Sequence, residues 1–359
     1  MTNFTDDLND NEFLETPVDD GFLERFAATL SDADKRRVEI LDRVHDTYLR
    51  TKRDDELRKQ IQFLVEGSLR VRQGRRIEGR ALIVIGQSGA GKSWTVAHAV
   101  DDRPEFEQVG DFRPFVRLVA PRPCTLKQLG RELLRELGYA LDRDLPEHII
   151  WEKVRERLKA LHVRFVWIDE MQHAMLGADV QKLRDTIKNV MQQNDWPVSF
   201  ILSGLPTLVN FLMGDFQFQR RKRLIRLGDL HFPSGARIIR WIMTEIVEKR
   251  AEMKLAGDLA SDEFVNRLCH AGCGRFGMLI TLVRNALEEA LSEKGVVDAV
   301  ALRHFAASYA VMTGCSSAEN VFLAERWDQI DPEPLLFPKP EDDAPAEPAP
   351  SARPRNRSK

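Results

Sequence analysis

Gly86-Gln87-Ser88-Gly89-Ala90-Gly91-Lys92-Ser93 has the spacing G-x-x-x-x-G-K-[ST], which suits wrapping backbone N–H groups around phosphate oxygens. Glycine at 86, 89 and 91 permits the backbone angles such a wrap needs. A helical stretch after it, Trp94–Val100, would add its positive end. Lys92 would meet the β- and γ-phosphates, and the Ser93 hydroxyl would ligate Mg²⁺. A merely tight strand-to-helix turn would have no use for the Lys-Ser pair. The second constellation is Asp169-Glu170, directly after the apolar run Phe165–Ile168. In open α/β sheets ligands bind at the carboxyl ends of strands, so both carboxylates are expected to face the phosphates. Asp169 would hold Mg²⁺, directly or through water, and Glu170 would act as general base on the attacking water. An acidic pair capping a strand at the surface is the competing account. Together the two sites specify ATP and Mg²⁺.

Three further signals bear on the same chemistry. Phe200-Ile201-Leu202 runs into Ser203-Gly204, where a small hydroxyl could hydrogen-bond the attacking water or the γ-phosphate, or merely end the strand in a turn. The run Arg220-Arg221-Lys222-Arg223 costs Coulomb energy unless an anion compensates it. In an oligomer Arg221, with Arg220 as alternative, would reach a neighbour's γ-phosphate; a solvated basic face or a DNA-phosphate contact competes. Arg275, in Gly272-Cys273-Gly274-Arg275-Phe276-Gly277, would reach back to the phosphates or cap its helix in solvent. Cys269, His270 and Cys273 lack a second ligand pair at zinc spacing and are expected to be structural.

The elements that must position these groups follow from periodicity. Apolar runs at Ala81–Ile85, Phe115–Val119, Phe165–Ile168, Ser199–Leu202 and Leu224–Leu227 alternate with helical stripes, such as Leu126, Leu129, Leu133, Leu134 and Leu137. That alternation specifies an α/β fold, a five-stranded parallel sheet covered on both faces. After residue 230 only helical patterns remain, with Ser234, Ser261 and Asp298 as expected N-caps. The expected divisions are an acidic, disordered tail at 1–36, a helical segment at 37–80, the α/β core at 81–230, a small all-α lid at 231–312 and a Pro-rich tail at 313–359. Residues 1–34 hold ten acidic side chains against Arg25 alone, and such a segment repels itself. Residues 331–359 hold eight of the chain's 17 prolines, too many for a helix or central strand.

Composition sets outer limits. With 53 basic and 56 acidic side chains in 359 residues, the net charge is −3, which excludes a wholly basic nucleic-acid-coating protein but not a local basic face. The longest apolar run, Ala81–Ile85, is far short of the roughly 20 residues that cross a bilayer, so no membrane partner is expected. Four cysteines and no apolar leader fit a cytoplasmic location.

The phosphate loop with its strand, the stretch Cys124–Gly138, the string Val163-Arg-Phe-Val-Trp-Ile-Asp169-Glu170-Met-Gln172-His173 and the segment Asp215–Arg221 together resemble the AAA+ ATPases, and more narrowly the TniB/TnsC-type transposition ATPases, over about residues 37–300. The resemblance implies an ATPase with a helical lid, in which Ser203 is the sensor-1 residue, Arg275 the sensor-2 arginine and Arg221 the arginine finger. It implies a regulator of DNA transposition that assembles as a homo-oligomeric ring or filament on double-stranded DNA in the ATP state, recruits or activates a transposase, and disassembles on hydrolysis. Ser203-Gly204 departs from the Gly-Thr often found there in that family. The strips expected to meet DNA are Arg50–Arg80, Arg122 with Lys127, and Arg220–Arg226. Alternatives are another oligomeric AAA+ machine, such as a helicase loader or secretion-linked ATPase, and a nucleotide-gated scaffold that binds through its tails.

Overall fold

The computed structural model describes residues 20–72, 75–175, 180–213, 220–293 and 298–338. Five strands form the central sheet: β1 (Ala81–Gly86), β2 (Phe115–Val119), β3 (Phe165–Asp169), β4 (Ser199–Gly204) and β5 (Lys222–Leu227). They are parallel, in the order β2-β3-β4-β1-β5. The three inner strands are buried along their whole length, as β-branched and aliphatic runs covered on two faces must be. On edge strand β2, exposed Arg117 and Val119 alternate with buried Val116 and Leu118.

Helices α1 (Asp20–Ala28), α2 (Asp32–His45) and α3 (Lys52–Leu69) precede the sheet, and α4 (Lys92–Asp101) follows the phosphate loop. Leu57, Ile61 and Leu64 of α3 and Val96 and Val100 of α4 pack on Leu82, Val84, Trp167 and Ile201 of the sheet. The other face is covered by α5 (Leu126–Glu136), α6 (Glu147–Ala160) and α7 (Val180–Met191). Helix α5 begins in a reciprocal cap between Thr125 and Gln128, which satisfies two orphan amides. After the short α8 (Leu208–Met213) and β5, α9 (Ala236–Met243), α10 (Asp262–Ala271), α11 (Phe276–Ser292) and α12 (Leu302–Thr313) build a second, separate core.

The parallel α/β core and the helical region after it are as the periodicity specifies. Several details differ. Helix α6, with Ile150, Trp151, Val154 and Leu158 at helical spacing, adds a helix to those the periodicity specifies. The helical region also holds a two-residue parallel strand pair, Lys254–Leu255 with Ala299–Val300. Ser261 caps its helix, its hydroxyl accepting from the Phe264 amide at 3.2 Å, whereas Gly235 and Ala301 occupy the other two cap positions. Both expected tails carry structure within the described residues. Helix α2 runs across the boundary set at 36, and its Val44 is buried in the helical core. At the other end the chain does not leave the fold at 313. Val321 and Phe322 are fully buried against Phe264, Phe305 and Tyr309, and a final helix α13 (Glu333–Leu336) follows. Those two apolar side chains repay the ordering of a segment whose composition alone reads as tail. Among the described residues no helix is long and apolar enough to cross a membrane.

Phe322→Ala is expected to destabilise the helical region by about 3–5 kcal/mol, measured as a lowered urea midpoint. An unchanged midpoint would show that residues 314–338 are dispensable for that core.

Candidate functional site

All five strands end on one edge, and β4 lies between β3, which ends in the acidic pair, and β1, which ends in the phosphate loop. The loop therefore faces Asp169-Glu170 across one intervening strand end, that of Ser203-Gly204. Gly89 (φ +78°) and Gly91 (φ +89°) both take left-handed backbone, which a side chain would strain. The Lys92 ammonium is buried and donates to the Gln87 carbonyl at 3.1 Å. Burial pushes its pKa down, while the Glu170 and Asp169 carboxylates pull it back up. Lys92 and Glu170 line the same cavity. Ser93, in the first turn of α4, lines the cavity that holds Lys92 and Glu170, and also the neighbouring one that holds Asp169. Its hydroxyl and the Asp169 carboxylate are hard oxygen donors of the kind Mg²⁺ takes alongside water and phosphate.

Asp169 is fixed by its neighbours. Its Oδ1 accepts from the Ser203 hydroxyl at 2.5 Å and from the Glu170 amide at 2.9 Å. The Ser203 oxygen in turn accepts from the Trp167 indole at 2.8 Å. Ser203 is fully buried and its one proton is directed at Asp169, so it holds the carboxylate rather than presenting a donor to water or phosphate as expected. Asp169 Oδ2 makes no hydrogen bond among the described residues. Glu170 has φ +54°, an uncommon conformation for a residue with a side chain. Its Oε2 accepts from the Gln172 amide, whose own oxygen accepts from the Leu205 backbone at 3.2 Å. Gly204 leaves the room for this: a Cβ there would stand 2.8 Å from Gln172 Oε1. His173 Nδ1 lies 3.2 Å from the Ala120 carbonyl, and its Nε2 receives Arg122 Nε at 2.5 Å, so its proton sits on Nδ1.

The helical region closes the other side. Gly277 abuts the loop so closely that a Cβ would fall 2.7 Å from the Gly89 carbonyl, which the Met278 amide contacts at 3.0 Å. Arg275 is buried at this junction, and its charge reaches Lys92. It does not face solvent; its guanidinium pairs with Glu333 at 2.5 Å and lies 4.0 Å from the centre of the Phe337 ring.

Arg221 is elsewhere. Its carbonyl accepts from the Ala81 amide, at the start of β1, about 20 Å along the six-residue strand from the phosphate loop. Its guanidinium pairs with Glu78 and faces the Gln192 side-chain amide, so it could meet phosphate only on another subunit. Exposed Arg220 lies at the same edge, and Asp215–Gln219 fall outside the described residues.

The basic strips are largely engaged within the chain. Arg50 pairs with Asp55, Arg58 with Asp102, Lys127 and Arg131 with Asp144, and Arg223 bonds Gln60 and lies over Phe63. Arg70, Arg122 and Arg226 are exposed. Cys269 donates to the Leu230 carbonyl and His270 bonds the Ile330 carbonyl. Burial pushes the Cys273 thiol up to about 11, away from reactivity.

Sequence inspection missed the far wall of the cavity, of about 380 Å³, beside the loop. It is formed by the link His45–Leu49 and by Phe276, Thr281 and Arg284. Tyr48 stacks on His98 at 3.8 Å and donates to Asp54. Arg284 donates to the carbonyls of Val44 and Thr47, both at 3.0 Å. Arginine bonds to carbonyls more than 200 residues away leave no local sequence signal.

Residues 75–212 match the family model described as an AAA domain. Over most of its length the chain is similar in fold to three archaeal structures. The Aeropyrum pernix ORC1 protein in complex with DNA aligns at TM-score 0.57 and 17% identity, over 81% of this chain and 72% of that one. The Pyrobaculum aerophilum Cdc6p aligns at 0.52 and 14%, over 77% and 75%. The Aeropyrum pernix ORC2 protein, in ADPNP-ADP complexes, aligns at 0.51 and 16%, over 76% and 72%. No curated protein sequence matches. Identities this low establish the shared fold, and none of these likenesses reaches transposition.

Ser203→Ala removes the donor to Asp169 and strands the Trp167 indole. It is expected to cost about 1–3 kcal/mol and to raise the Mg²⁺ concentration needed for nucleotide binding, read by urea unfolding and by nucleotide titration at graded Mg²⁺. Unchanged stability and metal dependence would mean that Asp169 is positioned without the serine.

Proposed function

We propose that the chain binds and hydrolyses ATP with Mg²⁺ as an oligomeric AAA+ regulator of DNA transposition, assembling on target duplex in the ATP state and recruiting or activating a transposase. The observation that carries the ATPase part is the convergence of Lys92, Ser93 and Glu170 on one cavity between the sheet and the helical region, with Asp169 in the neighbouring cavity that Ser93 also lines. Gly86, Gln87, Ser88, Gly89, Ala90 and Gly91 supply the backbone wrap, Lys92 the phosphate contact, and Ser93 and Asp169 the metal ligands. The metal would screen phosphate charge when bound. The base would lie against Tyr48, Phe276 and the 45–49 link. Glu170 is the general base: it exchanges its bond to Gln172 for one to water and takes a proton from it. Arg275 and a neighbour's Arg221 or Arg220 would offset charge on the γ-phosphate.

Support for transposition is the Asp169–His173 string and the segments around it in the sequence. The fold likeness to an ORC1 protein solved with DNA favours a second reading, a DNA-bound loader of another replication or recombination machine. Either way weak phosphate contacts, multiplied by assembly, suffice for DNA binding at a net charge of −3, and ATP and DNA must strengthen each other's binding by the same factor.

Glu170→Gln is expected to bind ATP at near wild-type affinity and hydrolyse it about 10²–10⁴-fold more slowly. Lys92→Ala should lose triphosphate binding altogether. Normal turnover by the first, or normal affinity of the second, removes that residue from the mechanism. Binding to unrelated duplexes should be tighter with ATP than with ADP and fall steeply with salt; binding indifferent to nucleotide and salt contradicts assembly on DNA. Stimulation of a transposase, rather than a helicase, separates the two readings.

A further inference from the structure

From the segment Glu333–Phe337 we infer an internal stand-in for the terminal phosphate of the nucleotide, one that ATP must displace. The inference rests on the nucleotide site proposed above and adds a regulator to it. Glu333 Oε1 lies 2.5 Å from Arg275 Nη2, and the guanidinium carbon lies 4.0 Å from the Phe337 ring centre. The same ring rests on the phosphate loop: a Cβ on Gly89 would come within 3.0 Å of Phe337 Cζ. Arg275 is 4% exposed, whereas the Glu333 side chain is 60% exposed, so the buried partner is the arginine and the anion reaches it from solvent.

Two cations flank this junction: Lys92 lines the cavity that Phe276 and Gly277 also line, and Arg275 is buried directly before those two residues, where Gly277 abuts the phosphate loop. A buried guanidinium beside an ammonium needs an anion, and the chain supplies a carboxylate from its own carboxyl-terminal part. A triphosphate carries the stronger, multiply charged version of that anion, aimed at the loop that Phe337 covers. Arg275 Nε is buried without a hydrogen-bond partner, so Glu333 leaves one donor of the fork unused, which a phosphate oxygen could take.

The segment is built to lift without unfolding its neighbours. Upstream, Phe322 is fully buried and its carbonyl accepts from Arg267, and the Ile330 carbonyl bonds His270 at 2.7 Å. Beyond that anchor Pro332 is buried and α13 is four residues long; it has no fully buried side chain, and its half-buried Leu336 rests on the helical core. Nucleotide without a γ-phosphate would leave the Glu333–Arg275 pair in place, so the segment reports triphosphate against diphosphate, and its displacement changes what the carboxyl-terminal end presents to a partner.

The test uses the full chain. Glu333→Gln should tighten binding of a non-hydrolysable ATP analogue by about tenfold, the weight of one charge-assisted bond, and leave ADP affinity within about twofold. In an Arg275→Ala background the same substitution should change nothing, since the two act as a pair. Hydrogen exchange of residues 333–337 should accelerate with the analogue and not with ADP. If wild type binds both nucleotides yet Glu333→Gln matches it and exchange is unaltered, the stand-in is overturned while the nucleotide site survives. If wild type binds neither nucleotide, both fall.

Discussion

Two positive charges, those of Lys92 and Arg275, are taken out of bulk water beside the same glycine-rich turn, and much of the surrounding architecture answers that cost. Desolvating a cation is expensive unless partners are held in good geometry. The sheet brings Asp169 and Glu170 to Lys92, and the carboxyl-terminal segment brings Glu333 to Arg275. The acids lie far along the chain from the cations they compensate, so the compensation exists only in the folded state.

The strand end between the loop and the acidic pair organises the first half of that compensation. Extended by one step, the register of β3 and β4 sets Asp169 beside Ser203, while β1 pairs with β4 on its other side. Ser203 then passes a hydrogen bond from Trp167 to Asp169, and the residues that follow give Gln172 its anchor at Leu205. One carboxylate is locked through buried partners. The other, Glu170, is held by the Gln172 side-chain amide at a site one-third exposed. That contrast suits a fixed metal ligand beside a base that must change partners during turnover.

The link His45–Leu49 joins a helix that belongs to the helical core with one that belongs to the sheet core. Arg284 on α11 donates to the His45 and Thr47 carbonyls of that link, so the cavity wall is shared between the two bodies.

The phosphate loop, the acidic pair and the five strands were legible in the sequence because each is a local matter. Glycine placement decides backbone freedom, an apolar run decides a buried strand, and strand-helix alternation decides a parallel sheet. The resemblance of the core to AAA+ ATPases was legible for the same reason. What lay beyond reach depends on residues far apart in the chain. Ser203 became the holder of Asp169 because Trp167 and Asp169 point to the same side of the adjacent strand. Arg275 met Glu333 and Phe337 some 60 residues on, in a stretch whose prolines read as tail; Val321 and Phe322, buried in a core assembled from other helices, overrode that composition. Arg221 has the right type and spacing for a phosphate contact, yet lies at the far edge of its own sheet. Local sequence determines which chemistry is available, and only tertiary burial decides which groups are engaged, which are offered, and to whom.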